Sequence, residues 1–245
     1  MTTNEKTPVS PGSKAAPETF FIQITSDGPY LVYGNPPIDQ EIIVANEAGS
    51  WEYRKGLKFD NSKNPVALCR CGHSKNKPFC DGSHAHAHWN PQETSSKRPL
   101  LEHAIAYTGP AQILADNEEY CAFARFCDPY GRVWNLVQTA RTEDEQELVR
   151  HEAGHCPAGR LVLINKETNE VFEPKHEPSI GVIQDPVMKV SGPLWVKGGI
   201  RIESADGQSY EIRNRVTLCR CGMSSNKPFC NGAHASIKFN DGLPM

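Results

Sequence analysis

Residues 68–84, LCRCGHSKNKPFCDGSH, and 218–234, LCRCGMSSNKPFCNGAH, carry three cysteines and a histidine at identical spacing. Cys69, Cys71, Cys80 and His84 form C-x-C-x8-C-x3-H. Cys219, Cys221, Cys230 and His234 repeat it, and the two stretches differ at four of seventeen positions. Thiolate and imidazole together are metal-ligand chemistry. In an extended segment, side chains two apart point the same way, so each C-x-C pair presents both sulfurs to one centre. Gly72 and the polar run from Ser74 to Lys77 then turn the chain, Pro78 stiffens the approach to Cys80, and Asp81-Gly82 signals a turn and a helix start. With Asp81 as N-cap, His84 falls at the third helical position, one turn from Cys80; Asn231 caps the second copy in the same way. A helix start aims free N–H groups and a positive dipole end at the centre, which suits an anionic one. A Cys3His set is also a structural zinc site, although zinc modules more usually use C-x2-C spacing. Disulfides fit poorly, because nine cysteines is an odd number and adjacent C-x-C pairs are badly placed to bridge each other.

Both stretches, with Ser74, Pro78, Ser224 and Pro228 in register, resemble the CDGSH signature of the mitoNEET-like iron-sulfur family, C-x-C-x2-S-x3-P-x-C-D/N-G-S/A-H. The resemblance implies a [2Fe-2S] cluster at each site, held by three cysteines and one histidine. Asn231 and Ala233 replace Asp81 and Ser83, and neither change touches a ligand. Family members with one motif pair as homodimers through intertwined strands, so two motifs in one chain imply an internal pseudo-dimer and a functional monomer.

The elements that position the ligands read as strands. After a polar tail over residues 1–18, expected to be disordered, FFIQI and YLVY flank the turn SDGP. EIIVA and SWEYRKG then form a second pair leading into Val66-Ala67-Leu68. The second copy has the same lead-in: residues 191–198 parallel 27–34, and IRIES-ADGQS-YEIRN reads as a hairpin. Gly28 lies forty-one residues before Cys69 and Gly192 twenty-seven before Cys219, so the first module carries an insertion of fourteen. The fold class expected is α+β and β-rich: a first CDGSH module over residues 19–100, a small α/β insert over 101–170 and a second module over 171–245. His86 and His88 lack counterparts in the second copy and read as solvated loop residues.

The insert contains Cys121-x5-Cys127, a helical stretch near residues 143–151, and Cys156-Pro157-Ala158-Gly159 running into the strand LVLIN. It resembles the divergent mono-cluster [4Fe-4S] ferredoxin-like domain, with three cysteines where four-iron clusters usually take four. Three outcomes stay open: a [3Fe-4S] cluster on Cys121, Cys127 and Cys156; a [4Fe-4S] cluster with Asp128, His151 or His155 as fourth ligand; or an empty spacer.

At 245 residues the chain has room for two or three small domains, and its net charge of −3 argues against a nucleic-acid footprint. No apolar run reaches spanning length, and no presequence is legible, which points to the cytoplasm. The motifs contain no nucleophile paired with a base, no phosphate loop and no nicotinamide or flavin fingerprint, so turnover of a small substrate is not expected. With the clusters that the resemblance implies, replacing one thiolate by a neutral imidazole removes one negative charge and raises the potential above that of plant-type ferredoxins. It also makes retention pH-sensitive, because acid competes for the imidazole. Asp81 beside the first centre, where the second has Asn231, makes the first slightly harder to reduce. The reading is an iron-sulfur protein carrying single electrons or transferring clusters, with redox donors and acceptors or apo iron-sulfur proteins as partners. Lys77 and Lys227 are candidates for docking them. The alternatives are a zinc-stabilised regulatory protein and an accessory redox subunit of a flavin-linked oxidoreductase.

Overall fold

The computed structural model describes residues 7–245. In the first module, β1 (Phe21–Ile24) and β2 (Tyr30–Tyr33) alternate buried and half-buried side chains, as strands with one face on a core should. They are followed by β3 (Ile38–Ala45), β4 (Trp51–Phe59) and β5 (Val66–Leu68). The middle unit comprises β6 (Ile105–Thr108), β7 (Gln112–Asp116), α1 (Val133–Thr139), α2 (Glu143–Gly154), β8 (Leu161–Asn165) and β9 (Val171–Phe172). The second module has β10 (Ser179–Asp185), β11 (Val190–Lys197), β12 (Arg201–Glu203), β13 (Arg215–Leu218) and a short α3 (Ala233–Ser236).

The two modules exchange strands. One sheet runs β12-β1-β2-β5 and the other β13-β11-β10-β3-β4. The foreign strand joins in parallel each time, Ile22 opposite Ile202 in the first sheet and Val182 opposite Gln40 in the second. β3 and β12 occupy matching places in their modules, so the exchange is reciprocal, the intramolecular form of an intertwined dimer. The longer lead-in of the first module falls between β3 and β5, where β4 has no counterpart in the second module and pairs with β3 to extend the second sheet. The hairpin expected after β12 keeps its turn, Ser204 N–H donating to the Gln208 carbonyl, but its second limb forms no strand.

The middle sheet runs β6-β7-β8-β9, antiparallel throughout. α2 starts at a capping box: Thr142 accepts from Glu145 N–H while the Glu145 carboxylate accepts from Thr142 N–H. One hydrophobic core runs from Ile22, Tyr30 and Leu68 through Leu194 and Leu218 to Leu114, Val133 and Leu161, so the middle unit packs as part of the same body.

The tail expected over residues 1–18 differs. From Thr7 onward it packs on the second module: Ser10 is buried and donates to the Ile212 carbonyl, Ala16 N–H donates to that of Gly199, and Ser13 Oγ accepts from Asn214 N–H. Its polar composition concealed backbone partners supplied by a distant segment. Residues 1–6 lie outside the described residues. Among the described residues no helix is long and apolar enough to cross a membrane.

Candidate metal centres

Each ligand stretch begins at the end of a sheet strand, β5 or β13, and folds back on it. Cys69 N–H donates to the Pro78 carbonyl at 2.9 Å and Cys80 N–H to that of Ala67 at 2.9 Å. Cys219 to Pro228 (2.8 Å) and Cys230 to Thr217 (2.9 Å) repeat the pattern. Inside the loops, Ser74 Oγ donates to the Phe79 carbonyl and accepts from Asn76 N–H, as Ser224 does with Phe229 and Asn226. The serine satisfies groups that the tight return would otherwise leave without partners.

The donors stand in twos. Cys69 and Cys71 Sγ are 3.8 Å apart and Cys80 Sγ is 3.3 Å from His84 Nδ1; in the second copy the separations are 3.7 and 3.5 Å. Two donors on one tetrahedral metal, with bonds of about 2.3 Å to sulfur and about 2.0 Å to nitrogen, stand roughly 3.8 Å and 3.5 Å apart. Each pair therefore fits two positions of one metal. Among the described residues no group of three or more His, Cys, Asp or Glu side chains is arranged to hold one metal ion.

The electrostatics favour one thiolate at each site, Cys69 and Cys219, and a neutral ring at His234. The hydrogen bond from Cys71 lowers Cys69 to about 6 while Cys71 itself is pushed up, and Cys219 and Cys221 behave alike. Burial raises Cys80 and Cys230, and lowers His234 to about 4 with Arg220 adding to the effect. Backbone N–H groups of His73, Gly82 and Gly232 point at Cys71, Cys80 and Cys230 sulfurs at 3.4–3.5 Å.

Asp81 and Asn231 are not N-caps. The caps are Gly82 and Gly232, at φ of 87° and 85°, which places each histidine second in its short helix. Asp81 instead accepts from Lys75 and Ser83 N–H, which hold its carboxyl well below the usual range, and Asn231 accepts from Ala233 N–H. Lys77 and Lys227 fold back onto carbonyls of their own loops, Gly72 and Ser74 in one case and Ser224 in the other. His86 and His88 are exposed, as expected of loop residues.

These two loops are what the family comparison recognises. The model for the iron-binding zinc finger of CDGSH type matches residues 27–85 and again 191–235. Two segments of the chain, each with one ligand loop, match the CDGSH-type domain. No curated protein and no solved structure matches the chain.

The CDGSH loops meet back to back and are not equivalent. Gly72 and Gly222 face each other's loops so closely that a Cβ on Gly72 would stand 2.5 Å from the Cys221 carbonyl oxygen, and one on Gly222 2.3 Å from that of Cys71. Tyr30 of the first module reaches across, its hydroxyl donating to the Cys219 carbonyl at 2.7 Å. At the first site Cys80 and His84 are half-exposed, whereas Cys230 is buried and His234 is 4% exposed. The middle unit makes the difference: a Cβ on Gly232 would stand 3.1 Å from the Cys121 carbonyl oxygen and 3.4 Å from Phe123 Cβ, whereas one on Gly82 would meet nothing within 4 Å.

The arginine between the paired cysteines escaped the sequence reading, although Cys-Arg-Cys stands in both copies. Arg220 is 1% exposed, pairs with the buried Asp241 and donates to the Gly192 and Ile183 carbonyls. Arg70 is equally buried but stacks on Trp89 and donates to the Pro91 and Ser26 carbonyls, with no carboxylate partner.

In the middle unit Cys121, Cys127 and Cys156 line one small cavity together with Arg160. Burial raises the Cys121 and Cys127 thiols, and Arg160 opposes it. Phe123 and Arg125, inside the C-x5-C loop, hold φ of 53° and 65°, a conformation that costs non-glycine residues of order 1–3 kcal/mol each and concentrates at functional sites. Of the proposed fourth ligands, none lines this cavity; His151 and His155 open into another. Glu152, four residues before Cys156, was not singled out in the sequence. It is fully buried, neither oxygen has a partner, and burial with help from Asp128 raises it to about 8.

Proposed function

We propose that the protein is a single-electron carrier with a [2Fe-2S] cluster on Cys69, Cys71, Cys80 and His84 and a second on Cys219, Cys221, Cys230 and His234. The pairing of donors in twos carries this reading: Cys69–Cys71 and Cys80–His84 each suit one iron of a two-iron unit. When bound, each cluster supplies a one-electron acceptor; the protein supplies three thiolates, a neutral imidazole and N–H groups aimed at the sulfurs, and excludes water from the second site. Substrate turnover has no place in this reading. A functional monomer follows from the exchanged strands.

The unequal exposure assigns the roles. His84 and Cys80 form the face at which a redox protein donates or accepts, and the same openness suits transfer of a cluster to an apo protein. His234 and Cys230, sealed by the Cys121 loop, hold the internal centre. The Cys121, Cys127 and Cys156 cavity, with Arg160 as counter-charge and two residues in strained conformations, supports a third iron-sulfur centre next to it.

Iron, zinc and acid-labile sulfide analysis of anaerobically purified protein, with a visible spectrum and EPR after reduction, tests the proposal. About four irons and four sulfides per chain are expected from the two CDGSH sites, rising to about seven or eight irons with the middle filled. Zinc without sulfide or colour would overturn it.

A further inference from the structure

His151-Glu152-Ala153-Gly154-His155 reads H-E-x-x-H at the end of α2. That spacing sets two imidazoles one helical turn apart on one face, the arrangement with which metalloproteases hold zinc, the intervening glutamate serving as general base. The helical turn is intact here: His155 N–H donates to the His151 carbonyl at 3.0 Å, and the two ring centroids are 4.1 Å apart. Glu152 does not join them. It is fully buried and does not line the cavity onto which the histidines open, so the pair can bind a metal but has no general base beside it for hydrolysis.

That cavity, of about 390 Å³, lies between α2 and strands β4 and β11 of the second sheet. Both ring nitrogens of His151 and Nε2 of His155 are open to it without a hydrogen-bond partner, unlike His176 Nε2, which is sealed from solvent. His155 Nδ1 is 2.8 Å from the His151 carbonyl oxygen, which can only accept, so Nδ1 carries the proton and Nε2 keeps its lone pair. A carbonyl that fixes the far nitrogen in this way orients a ligating histidine, and Phe126 stacks on the same ring at 5.5 Å. Burial and the neighbouring His155 lower His151 from its ordinary value, which leaves it neutral and able to ligate at neutral pH. The cations of the lining, Arg150 and Lys197, are each paired with carboxylates. Glu52 lines the cavity with no cationic partner among the described residues, so negative charge is at hand for a metal ion.

From two imidazoles one helical turn apart, with open ring nitrogens facing a cavity that holds an unpaired carboxylate, we propose a site for a divalent first-row transition-metal ion on His151 and His155. Imidazole suits nickel, zinc and copper rather than magnesium or calcium. No third side chain completes the set, so water fills the remaining positions and the ion exchanges readily, unlike one in a closed structural site. The site shares no ligand with the CDGSH centres, so its failure leaves the electron-transfer reading untouched.

Equilibrium dialysis of the full-length, cluster-loaded protein against Ni2+, with nickel counted by elemental analysis, tests the proposal. One Ni2+ per chain should be retained at about 0.1 mM free metal, and about a hundredfold excess of Mg2+ should not displace it. Nickel K-edge X-ray absorption should show imidazole nitrogen and water oxygen around the ion and no sulfur. His151→Ala, on a half-buried helix face where alanine favours the helix, should weaken retention at least tenfold, and His155→Gln should do the same. No retained nickel, displacement by Mg2+, sulfur neighbours from the cysteines, or retention unchanged in both variants would each overturn the proposal.

Discussion

Gly72, Gly82 and Gly222 share a left-handed backbone, φ of 85°, 87° and 79°, but not their surroundings, and this separates two costs that alanine would impose. An L side chain in that region costs about 1–2 kcal/mol. At Gly82 nothing lies within 4 Å of the new Cβ, so Gly82→Ala should cost that strain alone. At Gly222 the Cβ would stand 2.3 Å from the Cys71 carbonyl oxygen, roughly an ångström inside ordinary contact, and the obstacle is backbone rather than the end of a flexible side chain. Overpacking of this kind adds about 1–3 kcal/mol, so Gly222→Ala should destabilise by about 2–5 kcal/mol, and Gly72→Ala, against Cys221, by a similar amount. Denaturant unfolding of the three variants side by side measures the costs. A visible spectrum with site-selective His84→Cys labelling of the first centre shows where the damage falls. Because the clash is with Cys71, the lesion in the second loop should disturb the first centre. A Gly222→Ala cost within about 0.5 kcal/mol of Gly82→Ala, with the first centre's spectrum unchanged, would refute the back-to-back packing.

Acidification below about pH 6 should bleach the protein in two phases, the half-exposed His84 site losing colour roughly tenfold faster than the buried His234 site, and His84→Cys should abolish the fast phase in stopped-flow absorbance. Glu152 titrates near 8 when folded against an ordinary value of 4.5. Its raised value contributes stability that is complete below about pH 4.5 and is lost as the pH rises to 8, since the unfolded chain ionises first. At about 1.36 kcal/mol per unit this reaches about 4–5 kcal/mol. Glu152→Gln should therefore gain up to about 4 kcal/mol over the parent between pH 5 and 8 in chemical denaturation, and a constant difference across that range would remove the argument.

The two ligand sets were legible because their spacing repeats and because ligand chemistry restricts the residue types at each position. Strands were legible from their aromatic and β-branched residues, as in YLVY and EIIVA, and a helical stretch was expected near residues 143–151, where α2 lies. Partners distant in sequence were not. Nothing local announces that β3 leaves its own module to pair with β10, that Tyr30 reaches the Cys219 carbonyl, or that residues 8–16 run along the second module. The turn at Asp81-Gly82 carried two valid signals, an aspartate and a glycine, and the left-handed glycine prevailed as the helix boundary. Arg70 and Arg220 were hidden because a charged residue between ligands reads as solvated, whereas both are buried by partners the local sequence does not contain.

Joining the two intertwined halves into one polypeptide has a consequence for inheritance. In a symmetric pair of identical chains each substitution appears twice, so neither half can acquire a feature the other lacks. Here Asp241 was free to arise opposite Arg220 without an acid appearing opposite Arg70, and a middle unit could settle on Gly232 while leaving Gly82 bare. Each site can be selected for its own task, one retaining access and the other shelter, while the shared strands keep them at a fixed separation.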